Sequence, residues 1–211
     1  MELKIKKTIL ITGGSGLLGT NWASLTKKKY NVYIVLNKKI IKPFDVNIAN
    51  FSLENSNKID ENLNKIRPDY IVHTAALSDV DKCERYKKLA YNVNTKLTEN
   101  LAKISSKYNI PIIYISSDHY FSNNKLLNSE TDDVSLINQY AKTKYNAEKI
   151  IIDSSYNNLI IRTNFFGWGP FYRPSFSDWI INSLIYKKSI ELFQDVYFTP
   201  LFIETVVTNT H

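Results

Sequence analysis

The 211-residue sequence predicts an α/β fold: a doubly wound parallel sheet followed by a small, truncated C-terminal lobe. Three observations carry this. Short apolar runs alternate with longer helical segments, the pattern of βαβ units whose strands are buried on both faces. Right-handed crossovers between such strands put helices on both sides of the sheet. Four of the six glycines fall between positions 13 and 19, where the first strand gives way to the first helix.

The elements follow in order. Lys7–Thr12 (KTILIT) reads as a buried strand stopped by glycine, and Leu17–Lys29 as the helix behind it. Asn31–Leu36 is a second strand. Leu53–Ile66 is helical and ends at Arg67-Pro68, since the residue before proline leaves the α region. Tyr70–Thr74 is a third strand, and Glu84–Tyr108 a long helix stopped by Asn109-Ile110-Pro111. Ile112–Ser116 is a fourth strand, Ser135–Ser154 a helix and Leu159–Arg162 a fifth strand. Phe176–Lys187 reads as a helix and Ile190–Phe193 as a short strand. The aromatic, glycine- and proline-rich stretch Gly167–Pro174 marks a change of texture that suits a substrate-facing loop. The expected division is a cofactor domain with the catalytic residues over 1–163 and a partial substrate lobe over 164–211.

Composition narrows the function classes. A chain with 44% hydrophobic and 13% aromatic residues can bury a sizeable core, and its mean hydropathy of -0.26 suits a globular protein. The lone Cys83 excludes an internal disulfide and a cysteine zinc cage. The three histidines come with no grouped carboxylates, so no metal site is expected. No apolar run reaches the ~20 residues of a membrane helix. A cytoplasmic setting without membrane partners is the expectation. The net charge of +7 raises nucleic acid as a partner. However, only Arg67, Arg85, Arg162 and Arg173 are arginines, and the lysines scatter in twos and threes rather than forming a stripe. No nucleic-acid role is expected.

Gly13, Gly16 and Gly19 form G-x-x-G-x-x-G between a strand and a helix. Glycine permits the tight turn and lets backbone N–H groups approach a diphosphate, while the helix N-terminus adds partial positive charge. Gly13, Ser15, Gly16, Leu17, Leu18 and Gly19 are therefore candidate dinucleotide-binding residues. An acid about 20 residues later would hold an NAD ribose. This chain instead has Asn37, Lys38 and Lys39 after the second strand, and lysines suit a 2′-phosphate, so NADP(H) is favoured over NAD(H). Asp45 and Val46 are candidates for the adenine edge.

Tyr140 and Lys144 stand four apart and share a helix face. A free phenol titrates near 10, too high for acid–base work at neutral pH, and a neighbouring ammonium would lower that value. A hydroxyl at the carboxyl end of the fourth strand, from Ser116-Ser117, could hold a reacting carbonyl.

These residues come in the order glycine loop, strand-end serine, then tyrosine and lysine. With ITGGSGLLG (11–19), RPDYIVHTAA (67–76), DVDKCE (79–84), YNVN (91–94), SSDHYF (116–121), YAKTK (140–144), IRT (161–163), Asp195 and Thr199-Pro200, the sequence resembles the extended short-chain dehydrogenase/reductases of nucleotide sugars. Within that Rossmann-like family the nearest resemblance is to the dTDP-4-dehydrorhamnose reductases. It runs from Thr8 to about Val207. It implies that Ser117 takes the catalytic Thr/Ser position, with Asp118 beside it. It makes Tyr140 the proton donor with Lys144 as partner, and places Ala75 and Ala76 along the cofactor. Arg162, Asn164 and Trp168 are candidate substrate contacts. Several positions depart from the pattern. Serine replaces threonine at 117, His119 replaces tyrosine, and the stretch 162–170 leans toward the epimerases.

The implied activity is NADPH-dependent reduction of a nucleotide-linked 4-keto sugar for cell-surface polysaccharide, by a homodimer. The alternatives are an NAD-dependent nucleotide-sugar epimerase or dehydratase, and a non-catalytic NADP(H)-binding homologue. The family's substrate lobe continues past the position of His211.

Overall fold

The structure is a computed structural model and describes residues 6–36, 39–120, 128–155, 157–195 and 198–211. Six strands make a parallel sheet: β1 (Thr8–Thr12), β2 (Asn31–Leu36), β3 (Asn47–Asn50), β4 (Tyr70–His73), β5 (Ile112–Ile115) and β6 (Leu159–Ile161). They lie in the order β3-β2-β1-β4-β5-β6, so the order reverses between β1 and β4. In open α/β sheets a crevice forms at that reversal, outside the carboxyl ends of the strands.

The helices cover both faces. α1 (Leu17–Thr26) lies on one face, and Leu18, Trp22 and Ala23 pack there with Ile9 and Ile11 of β1. The opposite face carries α2 (Ser56–Ile66), α5 (Leu97–Lys107) and α6 (Gln139–Ser154), whose Ile59, Leu63, Leu101, Ala147 and Ile151 meet Leu10 and Tyr114. Alternation along β1 sends Ile9 and Ile11 one way and Leu10 the other, which is how one strand feeds two cores. Local signals set the helix ends. The Asn55 side chain caps α2 at the backbone N–H of Lys58, and Arg67 stops it in a left-handed conformation (φ 48°). The Asn138 side chain caps α6 at Ala141 N–H, so that helix begins at Gln139 rather than at Ser135.

The single long helix expected over Glu84–Tyr108 is broken into α3 (Val80–Arg85), α4 (Lys87–Tyr91), a π turn over Asn92–Lys96 and α5. Asp79 caps α3 through Lys82 N–H, and Tyr86 (φ -123°, ψ 62°) interrupts the ladder. The π turn inserts one extra residue, and Leu97 N–H bonds to Asn92 O. Asn94 thereby turns inward and is 1% exposed.

Three further differences separate expectation from structure. β3 was not expected: its sequence NIAN has two apolar residues, and as an edge strand it needs to bury only Ala49. No strand forms at 190–193. Instead β7 (Asn164–Phe166) and β8 (Pro200–Phe202), each three residues long, make a separate parallel pair. The chain after 163 also does not all leave the sheet. Helix α8 (Ile203–Thr210) returns to the sheet, and Ile203, Val206 and Val207 join the α1 side of the core. Their i, i+3, i+4 spacing gives an apolar stripe that α1 can cover. In α7 (Phe176–Ile185), by contrast, Ser183 is the one buried residue.

Candidate active site

The crevice at the strand reversal is a cavity of about 560 Å³. Its floor is the glycine loop. Gly13 has φ +69°, and a Cβ there would lie 2.8 Å from the Ala75 backbone, so a side chain is excluded twice over. Gly16 is the N-cap of α1, where no side chain caps the helix and no acid lies in the first turn. The free N–H groups of that turn are left for an anion. A Cβ at Gly19 would lie 2.4 Å from Gly13 O, so this residue brings helix and loop together rather than lining the cavity. This cradle fits a dinucleotide diphosphate.

Of the expected cofactor residues, Gly13, Ser15, Gly16, Leu17, Leu18, Ala75, Ala76, Tyr140 and Lys144 line this one cavity. Asn37 and Lys38 lie outside the described residues. Asp45 and Val46 are placed elsewhere: with Lys27, Tyr30 and Asn31 they line a separate hollow. The cavity is instead closed beyond β2 and β3 by Val35, Leu36 and the segment Phe51–Glu54. That segment went unrecognised because β3, which positions it, was too short to read.

At the other end, Ser117 lies beside Tyr140 and favours its ionised form. Burial raises the phenol above its ordinary value, against the lowering effect of Ser117, and the Asp118 charge raises it further. The expected depression of the Tyr140 pKa by Lys144 is therefore not what this geometry gives. Lys144, 2% exposed, donates to Ile115 O at 2.7 Å and lies 4.1 Å from the Tyr114 ring centroid. Its burial pulls the amine down to about 7, partly offset by the charge of Glu148. The two serines divide their contacts: Ser116 Oγ pairs with Tyr120 OH at 2.7 Å, while Ser117 Oγ accepts from His119 N–H at 3.2 Å and faces Tyr140. His119 meets the Tyr140 ring edge-on at 5.8 Å.

A buried relay ties the two ends together. Thr98 donates its hydroxyl proton to Asn94 O at 2.8 Å, so its oxygen accepts from His73 Nε2 at 2.9 Å. His73 Nδ1 then accepts from Thr12 Oγ1 at 2.6 Å, at the end of β1. Burial, and next the Lys144 charge, hold His73 neutral with a pKa of about 3. The Asn94 amide accepts from Leu77 N–H at 2.7 Å and donates to Leu77 O at 3.1 Å and Thr143 Oγ1 at 3.0 Å. The π turn thus fixes both the strand-end loop that carries Ala75 and Ala76 and the helix that carries Tyr140 and Lys144. The motif match at 91–94 pointed to this asparagine without giving it a role.

The expected substrate residues scatter. Asp118 is part-buried and acts on Tyr140 by charge. Asn164 begins β7, paired with Pro200. Trp168 is 56% exposed, and its carbonyl accepts from Asn21 Nδ2 at 2.9 Å. Arg162 is committed to structure: its guanidinium donates to Glu148 at 3.1, 3.2 and 2.8 Å, and Glu148 is 1% exposed. Phe165, within the stretch 163–166 expected to face nicotinamide or sugar, lines the cavity, and cavity residues that the sequence reading missed include Leu89, Val93 and Arg173. Among the described residues no group of His, Cys, Asp and Glu could hold a metal, and no helix is long and apolar enough to cross a membrane.

The strand order, the glycine loop at the reversal and the Tyr–Lys helix beside it define a Rossmann-like domain of the extended short-chain dehydrogenase/reductase type. The chain belongs to the RmlD substrate binding domain family, whose family model matches residues 7–210. A probable low-salt glycan biosynthesis reductase from Haloferax volcanii is 26% identical over 95% of this chain and 68% of its own length. A dTDP-4-dehydrorhamnose reductase from Salmonella typhimurium is 30% identical over 74% of this chain. The match spans 52% of that enzyme, about half its length. Among solved structures, a dTDP-4-dehydrorhamnose reductase from Bacillus anthracis in complex with NADP superposes with a TM-score of 0.81. It is 24% identical over 98% of this chain and 70% of its own.

Proposed function

We propose that this chain acts in the NADPH-dependent reduction of a nucleotide-linked 4-keto sugar. One observation carries the reading: a single cavity joins an uncapped glycine loop to Tyr140, Lys144 and Ser116 at the end of β5. The reductases among the relatives support the reaction class. NADP(H) over NAD(H) is supported by the lysines after β2, where NAD would call for an acid, and by the NADP bound to the Bacillus neighbour.

Bound in the cavity, the nicotinamide would supply the hydride. The remaining steps belong to the protein. Ser117 orients the sugar carbonyl, and Tyr140, kept protonated at neutral pH by its burial, delivers a proton to the oxygen as negative charge develops there. Lys144 is held by Ile115 O and the Tyr114 ring one turn along α6 from the phenol, lining the same cavity, where its amine can hold the nicotinamide ribose. The same reading sets the enzyme in the cytoplasm, in sugar supply for cell-surface polysaccharide. It also makes it a homodimer, supported by the apolar Tyr86, Tyr91 and Ile152 exposed around α4 and α6.

The test is Tyr140→Phe. The variant is expected to lose at least about a hundredfold in turnover of a dTDP-4-keto sugar, within the usual span of acid catalysis, while NADPH binding stays within about threefold. Full activity in Tyr140→Phe would refute the assignment. NAD retained through purification, with no NADPH consumption, would point to an epimerase instead.

A further inference from the structure

We propose that Arg173, carried on the loop after β7, is the cationic contact for the cofactor diphosphate; this rests on the dinucleotide reading above. The glycine loop contributes only backbone dipoles, since residues 13–19 contain no charged side chain. A diphosphate brings two negative charges, and dipoles alone leave that charge without a counter-ion. Among the described residues lining the cavity, the only cations are Lys144 and Arg173. Lys144 is buried at the catalytic end against Ile115 O, whereas Arg173 lies at the loop. The Arg173 guanidinium comes within 3.9 Å of the position a Gly16 Cβ would take, over the N-cap where the phosphate-facing N–H groups begin.

The loop is built to hold it there. Asp178 Oδ2 accepts from Gly169 N–H, Ser175 N–H and Ser175 Oγ at 2.7 to 2.8 Å, closing the turn that carries Arg173. A Cβ at Gly169 would lie 2.3 Å from Arg173 O, so the closure needs glycine. Tyr172, the preceding residue, donates its hydroxyl to Ser15 O at 3.1 Å and so pins the turn directly to the glycine loop. Among the described residues the Arg173 side chain makes no ion pair, so its donors remain available. Arginine suits the task because its planar fork can engage two phosphate oxygens at once. Its place on the segment outside the sheet means that cofactor binding also fixes that segment against the glycine loop.

The experiment measures dissociation constants of NADPH, ADP-ribose, 2′,5′-ADP and adenosine for the wild type, Arg173→Gln and Arg173→Lys. Fold integrity is checked by thermal melting. Loss of a charge-assisted phosphate contact should weaken NADPH and ADP-ribose by about 10- to 100-fold in Arg173→Gln. Arg173→Lys should fall between, and adenosine should be unaffected. NADPH binding within threefold of wild type in a folded Arg173→Gln would overturn the proposal. So would a loss shared by NADPH and 2′,5′-ADP that spares ADP-ribose, which would move Arg173 to the 2′-phosphate. A wild-type protein that binds neither NADPH nor ADP-ribose would instead overturn the dinucleotide reading itself.

Discussion

Replacing Arg162 with methionine separates a structural from a substrate-binding role for the one arginine on the sheet's last strand end. The substitution keeps much of the apolar stem and removes three hydrogen bonds, from two guanidinium nitrogens, to Glu148, the shortest at 2.8 Å. Glu148 is 1% exposed, so water cannot replace them. A buried carboxylate stripped of its partner costs about 3–5 kcal/mol. For a chain of this size that corresponds to a fall in Tm of roughly 6–20 °C. The guanidinium also lies 5.2 Å from the Tyr120 ring centroid, so Arg162→Lys should recover only part of the loss. Urea unfolding of the wild type, Arg162→Met, Glu148→Gln and the double variant gives the coupling directly. The double variant should be more stable than Arg162→Met, because it leaves no buried charge behind. An Arg162→Met variant as stable as wild type, with a raised KM for the sugar nucleotide, would refute the argument and return Arg162 to the substrate.

Lys144 gives a pH dependence of definite sign. Its folded pKa is lowered to about 7 from an ordinary 10.5. Between these values the unfolded chain binds more protons, so stability climbs with rising pH across that window, and the burial cost is at its full value below about 7. From pH 7 to 9.5 the gain should be about 3 kcal/mol, read by urea unfolding. Lys144→Met should be more stable at pH 7 and lose this slope; an unchanged slope in that variant would assign the effect to another group. Asn94→Leu leaves Leu77 N–H and the Thr143 hydroxyl without their amide partner. It should destabilise by about 2–4 kcal/mol and reduce turnover more than NADPH affinity, because it loosens the helix of Tyr140. Equal loss of kcat and of NADPH binding would instead place Asn94 at the cofactor.

The local parts of this protein are written in its sequence. β1 is an apolar run that must be buried, and the glycines behind it are required by backbone geometry at Gly13 and close approach at Gly19. The four-residue spacing of Tyr140 and Lys144 puts them on one side of α6 whatever the rest of the chain does. Those features depend on neighbours in the chain, so pattern alone is enough to read them. Where a side chain's partner is remote, pattern is silent. Arg162 could serve substrate or structure until α6 packed Glu148 beneath it, and the phenol's acidity was decided by how deeply Tyr140 is buried rather than by the lysine four residues on. The edge strand β3 and the β7–β8 pair are too short to carry a period, and their hydrogen-bond partners define them. The inward turn of Asn94 comes from one extra residue in a helix, and the return of α8 to α1 from a stripe that only the folded sheet face could cover. Sequence fixes what a segment can do by itself, whereas burial and long-range pairing decide which group carries charge, which is spent on holding the fold, and which faces the cleft.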